Sequence, residues 1–176
     1  QTGAWKTDDF VCRMIKGCIL LGKVPDSGSL LDLVPVDYVS RALVNLSLQR
    51  RSFGKAFHLV NPCPCPLAEF VEHIRTRGYP LDAVPEQQWR AEVVATAMRD
   101  TTHPLTPFLP AFEGVDEAES HPGESGARFD CQNVLDGLKD TTVFCPPVDA
   151  ALVETYFRYF DTSGFLPAPK NACGHE

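Results

Sequence analysis

Apolar residues recur along this chain at a helical period in several separate stretches. Val11, Met14, Ile15, Cys18 and Ile19 keep the spacing that lays one apolar stripe along a helix. Thr7 offers a hydroxyl cap ahead of them, Asp8 and Asp9 place carboxylates at the positive end of the helix dipole, and Gly22 is a natural stop. Pro25, Asp26, Ser27 and Gly28 predict a turn, and residues 31–34 a short strand ended by Pro35. Val36, Val39, Leu43 and Leu46 predict the buried stripe of a second helix, with Asp37 able to cap it. Residues 56–60 read as a second short strand, followed by a rigid proline-rich connection over 61–66. Leu67, Phe70, Val71 and Ile74 predict a third helix closed by Gly78. A brief strand at 81–84 leads to Pro85, which suits the first turn of a fourth helix bearing Trp89, Val93, Ala97 and Met98 along one side.

Beyond residue 101 the pattern fades. His103, Pro104, Pro107 and Pro110 leave room for one short helical turn, and 113–126 is acidic, aperiodic and glycine-containing, so 101–126 predicts a mobile surface loop. Residues 127–130 read as a strand and 132–138 as a short helix. Pro146 and Pro147 open a last helix with Val148, Leu152, Tyr156 and Phe160 inward, and the tail over 168–176 is expected to fray. The pattern predicts an α+β arrangement, mostly helical, whose few short strands cannot build an independent large sheet.

Composition narrows the class. The 176 residues are 44% hydrophobic, 22% charged and 10% aromatic, which is a globular composition in a chain long enough to bury a core. Sixteen basic against 23 acidic residues give a net charge of −7, which argues against the basic surface of a nucleic-acid binder. No run approaches the ~18 apolar residues of a membrane span, and no secretory signal pattern opens the chain. The seven cysteines are odd in number, scattered and set among apolar neighbours. They read as reduced, buried thiols of a cytoplasmic protein. Cys63-Pro-Cys65 is too closely spaced for a zinc pair, and His58 and His73 complete no familiar ligand pattern, so no metal site is expected.

Strands at 31–34, 56–60 and 127–130 look like minor ladders between helices, as in the appended part of a larger α/β protein. The Gln1-Thr2-Gly3 opening lacks a methionine, and the expectation is a fragment or excised domain.

Three ordered segments carry a family resemblance. The first is Thr2-Gly3-Ala4-Trp5-Lys6-Thr7-Asp8-Asp9-Phe10 with Arg13, Ile15, Lys16, Gly17 and Cys18. The second is Leu31-Asp32-Leu33-Val34-Pro35-Val36-Asp37-Tyr38-Val39 with Ala42. The third is Phe57-His58-Leu59-Val60-Asn61-Pro62, then Gly78-Tyr79-Pro80-Leu81 and Trp89. Together they resemble the C-terminal half of a thioester reductase domain of nonribosomal peptide synthetase type, in the extended short-chain dehydrogenase/reductase class. Cys145-Pro146-Pro147 through Tyr156, Phe160 and Gly164-Phe165-Leu166-Pro167 fit the same family. The resemblance implies that residues 1–176 form one substrate-binding subdomain of an extended Rossmann-type reductase, with the Rossmann half upstream.

It also implies a reaction. A peptidyl or acyl thioester on the phosphopantetheine arm of a carrier protein takes hydride from NADPH and leaves as an aldehyde, or as an alcohol after a second reduction. A Thr/Ser-Tyr-Lys set supplies the acid chemistry in that family. This sequence holds no G-x-x-G-x-x-G or G-x-G-x-x-G turn for a pyrophosphate. It holds no Tyr-x-x-x-Lys pair either, because Tyr38, Tyr79, Tyr156 and Tyr159 are followed by Ala42, Ala83, Phe160 and Ser163. No catalytic and no cofactor-binding residue is therefore assigned. NADPH belongs to the intact domain, and this chain alone is expected to be inactive. The implied partners are the carrier protein and the upstream half, with a fragment dimer burying any apolar face left bare.

The substrate-binding residues assigned on the resemblance are Thr2, Gly3, Trp5 and Arg13. Thr2 and Gly3 fall in the loop that the family places near the nicotinamide, and would otherwise be turn residues. Trp5 would wall the acyl or pantetheine channel, or else staple the first helix to the core. Arg13 and Lys16 would meet the pantetheine phosphate or the carrier's acids, against the plainer reading of a solvated helix face. Arg41, Arg50, Arg51 and Lys55 would dock an acidic carrier, or simply be solvated. Asp37 reads as a helix cap and His58 as a structural strand histidine. Two other readings stay open: the equivalent part of a carboxylic acid or aminoadipate reductase, and a non-catalytic carrier-docking module.

Overall fold

The computed structural model describes residues 2–110 and 129–169. Helix α1 (Phe10–Leu21) starts where Asp9, not Thr7, accepts the Cys12 N–H at its side chain, and stops at Gly22 in the left-handed region, φ 73°. Thr7 and Asp8 lie in the preceding turn. Strand β1 (Lys23–Asp26) follows at once and pairs in parallel with β4 (Asp82–Pro85), Lys23 opposite Asp82. The predicted turn around Pro25 is therefore partly strand. A proline is tolerated there because a two-stranded ladder leaves one edge of β1 unpaired.

Strand β2 (Leu30–Leu31) pairs antiparallel with β3 (Cys65–Pro66), Leu30 opposite Pro66. The strand expected over 31–34 thus shrinks to two residues and shifts by one. Residues 56–60 run without ladder partners. Residues 129 and 130 form no strand, and 127 and 128 lie outside the described residues.

Among the described residues, five further helices carry the cores, with 3-10 turns at Arg50–Ser52 and Thr106–Phe108. They are α2 (Val36–Ser47), α3 (Leu67–Thr76), α4 (Glu86–Arg99), α5 (Gln132–Leu138) and α6 (Ala150–Thr162). Helix α6 begins later than Pro146 and Pro147, where the Asp149 side chain accepts the Leu152 N–H at 2.9 Å. The main core joins α1, α3, α4 and α6 through residues such as Ile15, Phe70, Trp89, Phe157 and Phe160. A second, smaller core packs Tyr38, Ala42 and Leu46 of α2 against Val134 and Leu138 of α5. Cys12, Cys18 and Cys65 are buried as their apolar neighbours suggest, whereas Cys63 is exposed in the proline-rich connection.

Helix α2 departs from its predicted face. Its buried residues are Tyr38, Ala42 and Leu46, whereas Val36 is 72% and Leu43 59% exposed. Asp37 sits in its first turn, and Pro35 holds the cap position without a side-chain bond. Met98 on α4 is also exposed, while Trp89, Val93 and Ala97 are buried as expected.

Within the stretch expected to be a mobile loop, residues 101–110 turn compactly around Leu105, which is fully buried. Residues 111–126 of that stretch lie outside the described residues, as do residues 170–176 of the tail. Pro167 is tied down by the Tyr79 hydroxyl, which donates to its carbonyl at 2.9 Å. The fold is α+β and mostly helical. No helix among the described residues is long and apolar enough to cross a membrane.

Candidate functional site

Two segments meet at the start of α1 and the start of α2 to enclose a cleft of about 640 Å³. One wall comes from Thr2, Gly3, Ala4 and Trp5, the other from residues 32–37, with Asp9, Val11 and Tyr156 between them. Gly3 allows the first wall to lie against α6. Its φ of +70° suits only glycine, and a Cβ there would fall 2.2 Å from the Thr155 carbonyl oxygen. The Thr2 hydroxyl accepts the Ala4 N–H at 3.3 Å, which closes this small turn.

Asp9 organises the centre. One carboxylate oxygen caps α1, and the other accepts the Trp5 indole N–H at 2.7 Å. The same indole ring lies 4.7 Å from Tyr156 and 5.9 Å from Phe160, centroid to centroid. Trp5 is thereby held on both its polar and its apolar side, a rigid wall for the cleft. Burial pushes the Tyr156 hydroxyl above the usual phenol range, with the charges of Asp37 and Cys145 adding to the effect. It stays a neutral hydrogen-bonding group at physiological pH.

The second wall is fixed by a buried amide. Asn61, only 4% exposed, receives the Cys63 N–H on its side-chain oxygen and donates from its nitrogen to the Leu33 carbonyl at 3.0 Å. Its own backbone N–H donates to Asp32 at 2.7 Å. This node sets Asp32 and Leu33, and hence Val34 to Asp37, in place. Cys145 lies nearby, its thiol pushed up to about 11 by burial and then by Asp32 and Cys63.

Three carboxylates, Asp9, Asp32 and Asp37, line the cleft, and no lysine or arginine among the described residues does. Asp37 has Arg41 at 3.8 Å, one turn further along α2. Such a site suits an extended chain with apolar parts and N–H donors; it does not suit phosphate. Among the described residues no group of three His, Cys, Asp or Glu converges as metal ligands would.

Of the residues singled out from the sequence, the structure brings Thr2, Gly3 and Trp5 together. Arg13 lies outside the cleft lining, with its Nε donating to the Asp8 carbonyl at 3.0 Å. Lys16 sits 4.8 Å over the Phe165 ring. His58 is exposed, its Nδ1 3.0 Å from the Asp130 carbonyl oxygen. Arg50 and Arg51 form the 3-10 turn after α2, where Arg51 donates to the Gly137 carbonyl. Sequence reading took Asp9 only as a helix residue and Tyr156 only as core. The signal that links them is the aromatic at position 5, which needs both a polar and an apolar partner.

Comparison with known proteins gives a consistent set of relatives. No family model matches the chain. A subunit of the linear gramicidin synthase of Brevibacillus parabrevis is 28% identical over 171 residues, 97% of this chain and 3% of that protein. An isonitrile lipopeptide synthase of Streptomyces coeruleorubidus is 30% identical over 175 residues, 99% of this chain and 12% of its own length. The L-2-aminoadipate reductase of Saccharomyces cerevisiae is 28% identical over 178 residues, 95% of this chain and again 12% of its own length. The chain thus spans a small part of these relatives. Among solved structures, the terminal R domain of the myxalamid PKS-NRPS pathway is 40% identical with a TM-score of 0.87, over 97% of this chain and 43% of that one. The reductase domain of a Mycobacterium tuberculosis nonribosomal peptide synthetase, 19% identical with a TM-score of 0.70 over 94% of this chain and 43% of that one, shares the fold.

Proposed function

Because this chain belongs with the terminal reductase domains of nonribosomal peptide synthetases and covers a C-terminal portion of such a domain, we propose that it is the substrate- and carrier-facing subdomain of an NADPH-dependent thioester reductase. On this reading it receives a peptidyl or acyl thioester on the phosphopantetheine arm of a carrier protein, and the product leaves as aldehyde or alcohol. The observation that carries the proposal is the cleft built from Thr2, Gly3 and Trp5 opposite residues 32–37.

The chain's own residues bind and orient. Trp5 and Tyr156 present apolar ring faces to the arm or acyl chain. Asp32 and Asp37 offer acceptors to the amide N–H groups that such an arm carries. Holding a thioester by these remote contacts fixes its carbonyl in one place, which raises rate through positioning.

NADPH itself finds no cradle among the described residues. The cleft is lined by carboxylates rather than cations, and the glycine-rich turn that a pyrophosphate needs is absent from the sequence. Its binding is assigned to the remainder of the reductase domain, outside this chain. The carboxylates of Asp9, Asp32 and Asp37 in the lining favour a neutral or cationic acyl group over an anionic one.

Two substitutions in the intact reductase test the role of Trp5. Trp5→Phe keeps the ring contacts and loses the Asp9 bond, costing about 1 kcal/mol of stability. Trp5→Ala also removes the wall, and turnover of carrier-bound thioester per folded molecule should fall about tenfold or more. Normal specific activity in Trp5→Ala, with only a lowered melting temperature, would refute the substrate-wall role.

A further inference from the structure

A second cavity, of about 290 Å³, opens on the other side of α1, between α1, α3 and α4. Met14, Phe70, Val71 and Trp89 are among its walls. Phe70, Val71 and Trp89 are each only 3% exposed, so the cavity reaches the main core. Glu86 and Arg90 also line it, and they satisfy each other, the Arg90 Nε donating to Glu86 at 3.0 Å. Packed interiors hold few voids larger than a water molecule. A space of this size with almost wholly apolar walls is a ligand cavity rather than a packing fault. Val11 lines both this cavity and the cleft of Trp5, so the two adjoin across one side chain.

We infer that this second cavity takes the apolar tail of an aliphatic acyl chain whose thioester end lies in the Trp5 cleft. The inference rests on the thioester-reductase reading and adds a substrate class to it. A methylene fills about as much space as a water molecule, roughly 30 Å³, so 290 Å³ accommodates a chain on the order of ten carbons. The walls are mainly apolar, the Ser27 hydroxyl donates to that of Ser29 at 2.9 Å, and the one charged pair is internally neutralised. The cavity therefore discriminates by length and apolarity.

The experiment is binding without reduction, using the intact reductase domain. Acetyl-, hexanoyl- and decanoyl-pantetheine are titrated by calorimetry with no nucleotide present. Affinity should rise about three- to fourfold for each added methylene up to the decanoyl probe. Met14→Trp, at a half-buried wall position, should weaken decanoyl binding by about tenfold or more while leaving acetyl binding as it was. Leu67→Phe, a milder filling of the same cavity, provides the same comparison if Met14→Trp lowers the melting temperature. Affinity independent of chain length, no binding of the decanoyl probe, or decanoyl binding untouched by both filled variants would each overturn the inference. Because no reductant enters the assay, its outcome stands apart from whether the intact domain reduces thioesters.

Discussion

Buried titratable side chains give single residues of this chain a measurable signature. His103 is 5% exposed, and burial holds its imidazole below the usual 6.5, with Asp100 and a hydrogen bond to the Gly17 backbone opposing. Below pH 6.5 the unfolded chain takes up a proton that folded His103 refuses, so stability falls as pH drops. The thiols act at the other end. Burial pushes both Cys12 and Cys18 up from 9.0 to about 12. As pH climbs from 9.0 toward 12, the unfolded thiols ionise while the folded ones stay neutral, and stability is lost again. The expected melting temperature is flat between these limbs, and His103→Gln should flatten the acid limb down to the carboxylate range. An acid limb unchanged in His103→Gln would contradict this account. That Cys12 and Cys18 are buried was legible from their apolar neighbours. That His103 is buried was not, because its burial depends on contacts with α1 far away in sequence.

Among the elements, α1 shows what a sequence pattern hides. Its apolar stripe and its Gly22 stop are visible in the spacing, but the part Gly17 plays in packing is not. In the structure a Cβ at Gly17 would lie 2.5 Å from Leu105 Cγ, so the missing side chain is the seat for Leu105. Gly17→Ala should destabilise the chain by about 1–3 kcal/mol in urea titration, as overpacking does. Gly17→Ala combined with Leu105→Ala should be no less stable than Leu105→Ala alone, because the two residues share one space. Additive losses would show that Gly17 and Leu105 do not compete for one space. Helix α3 was legible because local periodicity and a clear stop coincide in it. Of the strands, β4 was legible, its residues 82–85 lying one position on from the expected 81–84; the others were not, because ladders of two to four residues are made by the elements they join, not by their own composition.

Over the whole molecule, the misread face of α2 becomes informative. This helix is apolar on two sides, one turned to α5 and one bearing Val36, Leu43, Val44 and Leu48 at 54–81% exposure. A sequence pattern finds apolar positions, but cannot say which side has its partner in the same chain. The bare side predicts that the isolated chain self-associates at high concentration, and that Leu43→Lys with Leu48→Lys abolishes this in sedimentation. A monomer at all concentrations would count against it. The Asn61 node carries a different consequence, for the order of assembly. Its amide binds Leu33 and the Cys63 N–H, and reaches the Pro146 carbonyl at 3.5 Å, so it is satisfied only when three separated stretches have converged. Such a bond belongs late on the folding path, after the rate-limiting barrier. Asn61→Ala should therefore hasten unfolding while refolding proceeds at nearly the original rate, which makes this one side chain a brake on the escape from the native state.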